Sequence, residues 1–257
     1  MKHILLLILN CSFLIFNSSS AFADAYTWTG TTNKSWNTST NWSPNGVPTT
    51  ADTVTLGSGT DTINLSNNVN ITNLIQSGRR LNLAGYSLTC NGTSAISGGV
   101  IYNGILLFSG TQVTFSSTAD IQVKTTITAS IPLFNGGTFA DSVIVNTTFT
   151  ASVLSAGGTT FNGPLKIDAK GGLFTFRIEG NTRNIYQSNA NITATIGGRI
   201  IFEHGSRGTT GSTFNGTVSL TAKDTAYILH RGATGITTTY TKKLTVVNQD
   251  SAQVLFS

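Results

Sequence analysis

Arg177, His204 and His230 are the side chains whose types and spacing come nearest to chemistry. Each lies sixteen residues beyond a recurring position, namely Phe161, Ser188 and Phe214, and Glu203 adjoins His204. On stacked strands the three would sit roughly 4.8 Å apart from one unit to the next. Imidazoles beside a carboxylate at that separation suit a transition metal or a proton relay. The competing reading is a solvated corner. Gly205 and Gly232 follow closely, and Phe256, which neither ligates nor titrates, takes the same place in the last unit. The corner is the better account, so no catalytic, cofactor-binding or metal-ligating residue is assigned and no cofactor is expected.

The carboxylates lead to the same place. Glycoside hydrolysis ordinarily needs two carboxyl groups at a fixed separation. Besides Glu203, the acids are Asp24, Asp52, Asp61, Asp120, Asp141, Asp168, Glu179, Asp224 and Asp250. Counted from the preceding Thr-Phe pair, Asp120 falls at position five, Asp141 at two, Asp168 at seven and Asp224 at ten. They share no position, so stacking does not bring them together. The clustered carboxylates with Arg or Lys that a calcium-dependent lyase wants are missing, as is the Gly-Gly-x-Gly-x-Asp calcium nonapeptide.

The elements that would position any such group are found by counting. Thr-Phe recurs as Thr114-Phe115, Thr138-Phe139, Thr160-Phe161 and Thr213-Phe214, and the last two continue as Asn162-Gly163 and Asn215-Gly216. A worn copy, Ser188-Asn189-Ala190, follows Phe161 by 27 residues, and further steps of 26 reach Phe214 and Tyr240. Four and six residues after each anchor comes an apolar pair: Val143 and Val145, Leu165 and Ile167, Ile192 and Ala194, Val218 and Leu220, Leu244 and Val246. That is the spacing of a strand with one buried face. Second apolar runs follow in Leu173 to Phe176, Ile200 to Phe202, Tyr227 to Leu229 and Val254 to Phe256. Units of two short strands with Gly-rich corners cannot bury their own apolar faces and must stack on their neighbours. From Thr53 to Gly110 short apolar runs alternate with turn signals such as Gly57-Ser58-Gly59, Asn91-Gly92 and Gly98-Gly99. No apolar 3.6-residue period persists, so the chain reads as essentially free of helix.

Composition fits that reading. Charged residues make up 10% of the chain against roughly 25% in ordinary globular proteins. Gly, Thr, Ser and Asn take their place, as strand surfaces and corners require. The net charge of +5 is scattered, with Arg79-Arg80 and Lys242-Lys243 the only basic doublets. No dense basic face with interleaved aromatics is visible, so nucleic acid is not an expected partner.

Met1-Lys2-His3, the apolar run Ile4 to Phe16 and the A-x-A site Ala21-Phe22-Ala23 predict a signal peptide over residues 1–23. The run is too short to span a membrane, and Asn10 before Cys11 departs from a lipoprotein site. Cleavage leaves Cys90 as the single cysteine, so packing and ladder hydrogen bonds must hold the exported chain without a disulfide.

All three tryptophans, Trp28, Trp36 and Trp42, lie within fifteen residues among Thr, Ser and Asn. Large rings in a segment without aliphatic runs predict a small aromatic cluster that closes the first coil. Trp28, Gly30, Trp36, Asn41, Trp42, Pro48, Asp52 and Val54 follow a pattern that resembles the opening module of bacterial surface proteins. These are autotransporter-type passengers and the adhesin-like secreted proteins of gliding Bacteroidetes. The Thr-Phe-Asn-Gly units resemble the repeats of the same proteins. The resemblance implies a β-helical surface protein without implying a named activity. Such passengers carry a translocation barrel or sorting module, and Gln249 to Ser257 resembles neither. The last coil is therefore expected to continue in a longer chain or to be covered by another subunit.

The sequence thus predicts an all-β protein, a parallel β-helix (β-solenoid) with an irregular N-terminal capping segment. The expected divisions are a Trp-rich cap over 24–57 and coils of 22–27 residues over 58–257. The expected function is a non-catalytic adhesion or structural role, secreted or at the cell surface, on the outer membrane of a Gram-negative bacterium. Surface glycans, or another β-solenoid segment at the open C-terminal end, are the expected partners, and the mature chain is expected to lack a transmembrane segment. The alternative is a carbohydrate-active β-helix enzyme, a polysaccharide lyase or hydrolase. Ice binding is disfavoured, because coil length varies and no Thr-x-Thr holds one position.

Overall fold

The structure, a computed structural model, describes residues 23–148, 152–155, 157–176, 183–202, 211–230 and 238–256. The expected signal segment lies almost wholly outside them. Among the described residues there is no α-helix, only a 3-10 turn at Ser39–Asn41, and the rest of the regular structure is strand.

The strands form three sheets that are parallel apart from one antiparallel pair. The first begins with Ala25–Trp28 and Thr53–Leu56, and continues through the long strands Asn73–Asn82, Thr93–Tyr102, Gln112–Ile121 and Ile131–Phe139. It ends in the two-residue strands Thr160–Phe161, Ile185–Tyr186, Thr213–Phe214 and Thr239–Tyr240. The second sheet has nine strands, from Val69–Ile71 to Leu244–Asn248, and the third has five, from Ser152–Ser155 to Gln253–Phe256. The chain alternates between the first two sheets up to Val143–Thr148, visits all three in turn from Ser152 onward, and returns each time one strand further along. The antiparallel exception is Trp42–Ser43 against Ala25–Trp28.

Register explains why these sequences become these strands. Across the second sheet Ile71, Cys90, Phe108, Ile127, Val145, Ile167, Ile192, Leu220 and Val246 lie side by side. Across the first the corresponding file is Ile63, Leu81, Ile101, Ile121, Phe139, Phe161, Tyr186, Phe214 and Tyr240. Every member before the last of each file is buried. Residues on either side of each member face outward, because side chains alternate along a strand. Stacking like on like buries each apolar side chain against two others, for roughly 1.5–3 kcal/mol apiece. The steps along the second file are 19, 18, 19, 18, 22, 25, 28 and 26 residues, read from the numbers of those residues. The anchored period belongs to the second half of the chain, and the first half winds more tightly.

Thr-Phe-Asn-Gly now has a physical reading. Phe161 and Phe214 point into the core, and the next residue's N–H continues the ladder. Asn162 donates to the Phe139 carbonyl at 2.8 Å and Asn215 to that of Tyr186 at 2.7 Å. The glycine lies directly over the preceding corner. A Cβ on Gly163 would stand 2.3 Å from the Asp141 carbonyl carbon, and one on Gly216 would stand 2.2 Å from that of Ser188.

Three expectations need correction. Phe115 does not share the file of Phe139, Phe161 and Phe214: it is in register with Ile96 and Phe134, while Ile121 lies beside Phe139. The long early strands carry two inward files, and counting Thr-Phe pairs merged them. The worn anchor is Tyr186, not Ser188, since Tyr186 lies between Phe161 and Phe214. The strand pair following it is therefore Ala190 and Ile192 in register with Leu165 and Ile167, not Ile192 and Ala194. A slip of two residues keeps the same face inward, so the core assignment survives the wrong register.

Candidate functional site

Of the alignment of Arg177, His204 and His230, only His230 lies among the described residues. His230 is in register with Phe202 and Phe256, and Phe202 with Phe176. Tyr186, and not Ser188, lies in register with Phe161 and Phe214, so the sixteen-residue count from Ser188 to His204 starts from a residue outside that file. Arg177, Glu203 and His204 themselves lie outside the described residues. Among the described residues no group of three or more His, Cys, Asp or Glu side chains is placed to hold a metal. Two of these acids serve local structure: Asp120 accepts from Gln122 at 2.7 Å, and Asp224 accepts from the Ile196 N–H at 3.3 Å.

What the structure does assemble is the Trp-rich segment. Trp42 stands edge-on to both Trp28 and Trp36, with centroids 4.9 and 4.7 Å away, and also to Tyr26 at 6.4 Å. Such pairs contribute about 0.5–1.5 kcal/mol each beyond their buried area. All three indoles are buried, and two are tied by their N–H groups: Trp42 donates to the Trp36 carbonyl at 2.7 Å and Trp28 to Asp61 at 3.0 Å. Asp61 also pairs with Arg79, which joins this segment to the strand Asn73–Asn82.

Asn41 is fully buried and organises the irregular loop around it. Its Oδ1 accepts the N–H groups of Thr32 at 3.0 Å and Asn33 at 3.1 Å, while its Nδ2 donates to Asn33 Oδ1 and the Ser35 carbonyl, each at 2.9 Å. A buried amide satisfied on both ends specifies one conformation. Gly30 is required where it stands, with φ of 63° and only 2.8 Å from a built Cβ to the Trp28 indole nitrogen.

Asp52 closes the segment. Burial works to raise its carboxyl, but the N–H groups of Thr49 and Asp24 and the Thr49 hydroxyl outweigh it and hold the group below its ordinary value. Desolvation acts likewise on Asp61, and the Trp28 indole and Arg79 overcome it. Each shift stabilises a charged carboxylate as a structural acceptor.

Between this segment and the first strands runs a shallow groove of about 290 Å³. Val47 and Pro48 line it together with the amides of Asn37, Asn67, Asn68 and Asn70, and no charged residue is in the lining. The sequence signalled the tryptophans and, through the resemblance, Asn41, but neither this groove nor Asp61 nor the bonds that Asn41 makes. Their partners are set by loop geometry over spacings of 6 to 33 residues, with no periodic pattern to reveal them.

No protein-family model matches the sequence, and neither the curated proteins nor the solved structures contain a significant match.

Proposed function

We propose that the chain is an exported β-solenoid, closed at its N-terminal end by the Trp-rich segment, which serves adhesion or cell-surface structure without catalysing a reaction. One observation carries this reading: two files of nine in-register residues run through the chain while outward positions such as Thr160, Thr213, Asn191 and Ser219 hold hydroxyls and amides. Such a scaffold presents a long, weakly charged polar surface. The residues that match the surface-protein module have structural partners: Trp28, Trp42, Asn41 and Asp52 each hold the segment together, as expected of a cap. Glycans are the partners that this surface and the uncharged Asn-rich groove suit, since their hydroxyls pair with amides without a charge to neutralise.

The test applies the purified chain to immobilised pectin, alginate and glycosaminoglycan, with retention and new reducing ends or unsaturated products measured together. Retention without product supports the reading. Product formation would overturn it in favour of a polysaccharide-degrading enzyme.

A further inference from the structure

We propose that cleavage between Ala23 and Asp24 creates an α-ammonium group at Asp24 that pairs with the buried Asp52 carboxylate and locks the N-terminal segment to the first strands. The cleavage position rests on the export reading above; the consequence rests on geometry. The Asp24 backbone nitrogen lies 2.9 Å from Asp52 Oδ1. Asp52 is only 3% exposed, and its Oδ2 accepts from the Thr49 N–H at 2.6 Å and the Thr49 hydroxyl at 2.8 Å.

Before cleavage the Asp24 nitrogen is a neutral amide offering one hydrogen. An endopeptidase and one water break the Ala23–Asp24 bond: the hydroxyl joins the Ala23 carbonyl carbon as a new carboxyl, which leaves with the released segment, and the nitrogen keeps its place as an amine. An α-amino group has an ordinary pKa of about 7.7–8.0, so at pH 7 it takes a further proton. A hydrogen bond from a neutral amide to a buried carboxylate thereby becomes an ion pair in which donor and acceptor are both charged.

The surroundings fit such a switch. Ala23 is exposed and Ala25 opens the first strand, so the cut falls just outside the paired strand. The Asp24 carbonyl accepts the Thr53 N–H at 2.9 Å, and the Asp52 carbonyl accepts the N–H groups of Thr72 at 2.9 Å and Asn73 at 3.3 Å. The new ion pair would therefore tie together the first strand, Thr53–Leu56 and the start of Asn73–Asn82. The charged and titratable groups around it are the exposed Asp24 carboxylate and Tyr26, whose phenol is raised by burial and by both carboxylates.

The experiment compares two otherwise complete chains, one beginning at Asp24 and one at Ala21, each with Asp52 and with Asp52→Asn. At pH 7 the Asp24 start should melt roughly 2–4 °C above the Ala21 start, and Asp52→Asn should abolish that difference. Equal melting temperatures, or a difference that survives Asp52→Asn, would overturn the proposal and leave the export reading intact. If Asp52→Asn does not fold, the acylation rate of the α-amine at pH 7, followed by mass spectrometry, decides. A rate at least tenfold slower in the Asp24 start than in the Ala21 start supports the pairing, and equal rates overturn it. The mass of the chain recovered after export tests the other premise: a start at Asp24 supports the proposal, and any other start defeats it through the export reading alone.

Discussion

Tyr186 and Phe214 lie face to face in the core, their ring centroids 4.2 Å apart and their planes 3° from parallel. They are in register on adjacent parallel strands although 28 residues separate them in sequence. Phe161 stacks on the other side of Tyr186 at 5.3 Å and 6°, and Tyr240 on the other side of Phe214 at 5.0 Å and 8°. Removing one ring from the middle leaves a cavity that its neighbours cannot collapse to fill. Phe214→Ala should cost about 3–5 kcal/mol in urea unfolding, while Thr213→Ala beside it, facing outward, should stay within about 0.5 kcal/mol. Similar losses at both positions would contradict the inward file.

Gly216 tests how closely successive corners approach. A methyl there would meet the Ser188 carbonyl carbon at 2.2 Å, and backbone on both sides has no rotamer with which to yield. Gly216→Ala should lower stability by about 1–3 kcal/mol. Gly57, around which nothing lies within 4 Å, is the control, and Gly57→Ala should be neutral or stabilising by up to about 1 kcal/mol. Thermal melts of the two variants separate these outcomes.

Acid should weaken the N-terminal segment first. Asp52 and Asp61 both have folded-state pKa values below the ordinary 3.8. A depressed carboxyl contributes stability in full above its unfolded value, and that contribution is lost as pH falls through the folded one. Melting temperature should therefore drop below about pH 4, with tryptophan fluorescence changing in the same range because all three indoles sit in this segment. Asp61→Asn should melt lower at neutral pH and show a shallower acid slope. An unchanged slope would remove Asp61 from the account.

Cys90 reports on the second file. It is fully buried between Ile71 and Phe108, and desolvation pushes its thiol up to about 12. Only the thiolate is nucleophilic, so the folded chain beginning at Asp24 should not react with a disulfide reagent at pH 8. One thiol should appear on unfolding in guanidinium. Rapid reaction of the folded chain would place Cys90 outside the core.

What was legible in the sequence follows from which side chains mark the files. Where a Phe follows a Thr, as at Phe139, Phe161 and Phe214, the file could be counted. Its continuation through Ile63, Leu81, Ile101 and Ile121 could not, because an Ile or Leu looks like any other apolar residue in a β-rich chain. Tyr186 is inconspicuous for the same reason, as neither a Thr nor a Phe announces it. That error of two residues left the strand cores correct, since Ile192 still faces inward. The same two residues enter the count from Ser188 to His204, while Arg177 and His204 lie outside the described residues. Asn41 and Asp52 are marked only as positions of the resembled module and Asp61 not at all, because the partners of all three depend on loop conformation.

Register across the second sheet is the central claim, and a pair of cysteines measures it directly. Asn191 and Ser219 are outward-facing partners on adjacent strands, within the roughly 4.4–6.8 Å Cα separation that a disulfide bridges. Thr193 is the residue that counting from Ser188 would place opposite Ser219. Asn191→Cys with Ser219→Cys should oxidise to an intramolecular disulfide visible as a mobility shift without reductant, and Thr193→Cys with Ser219→Cys should not. Bridging by the Thr193 pair alone, or by neither pair, would contradict the stacked register on which the fold and the proposed function both stand.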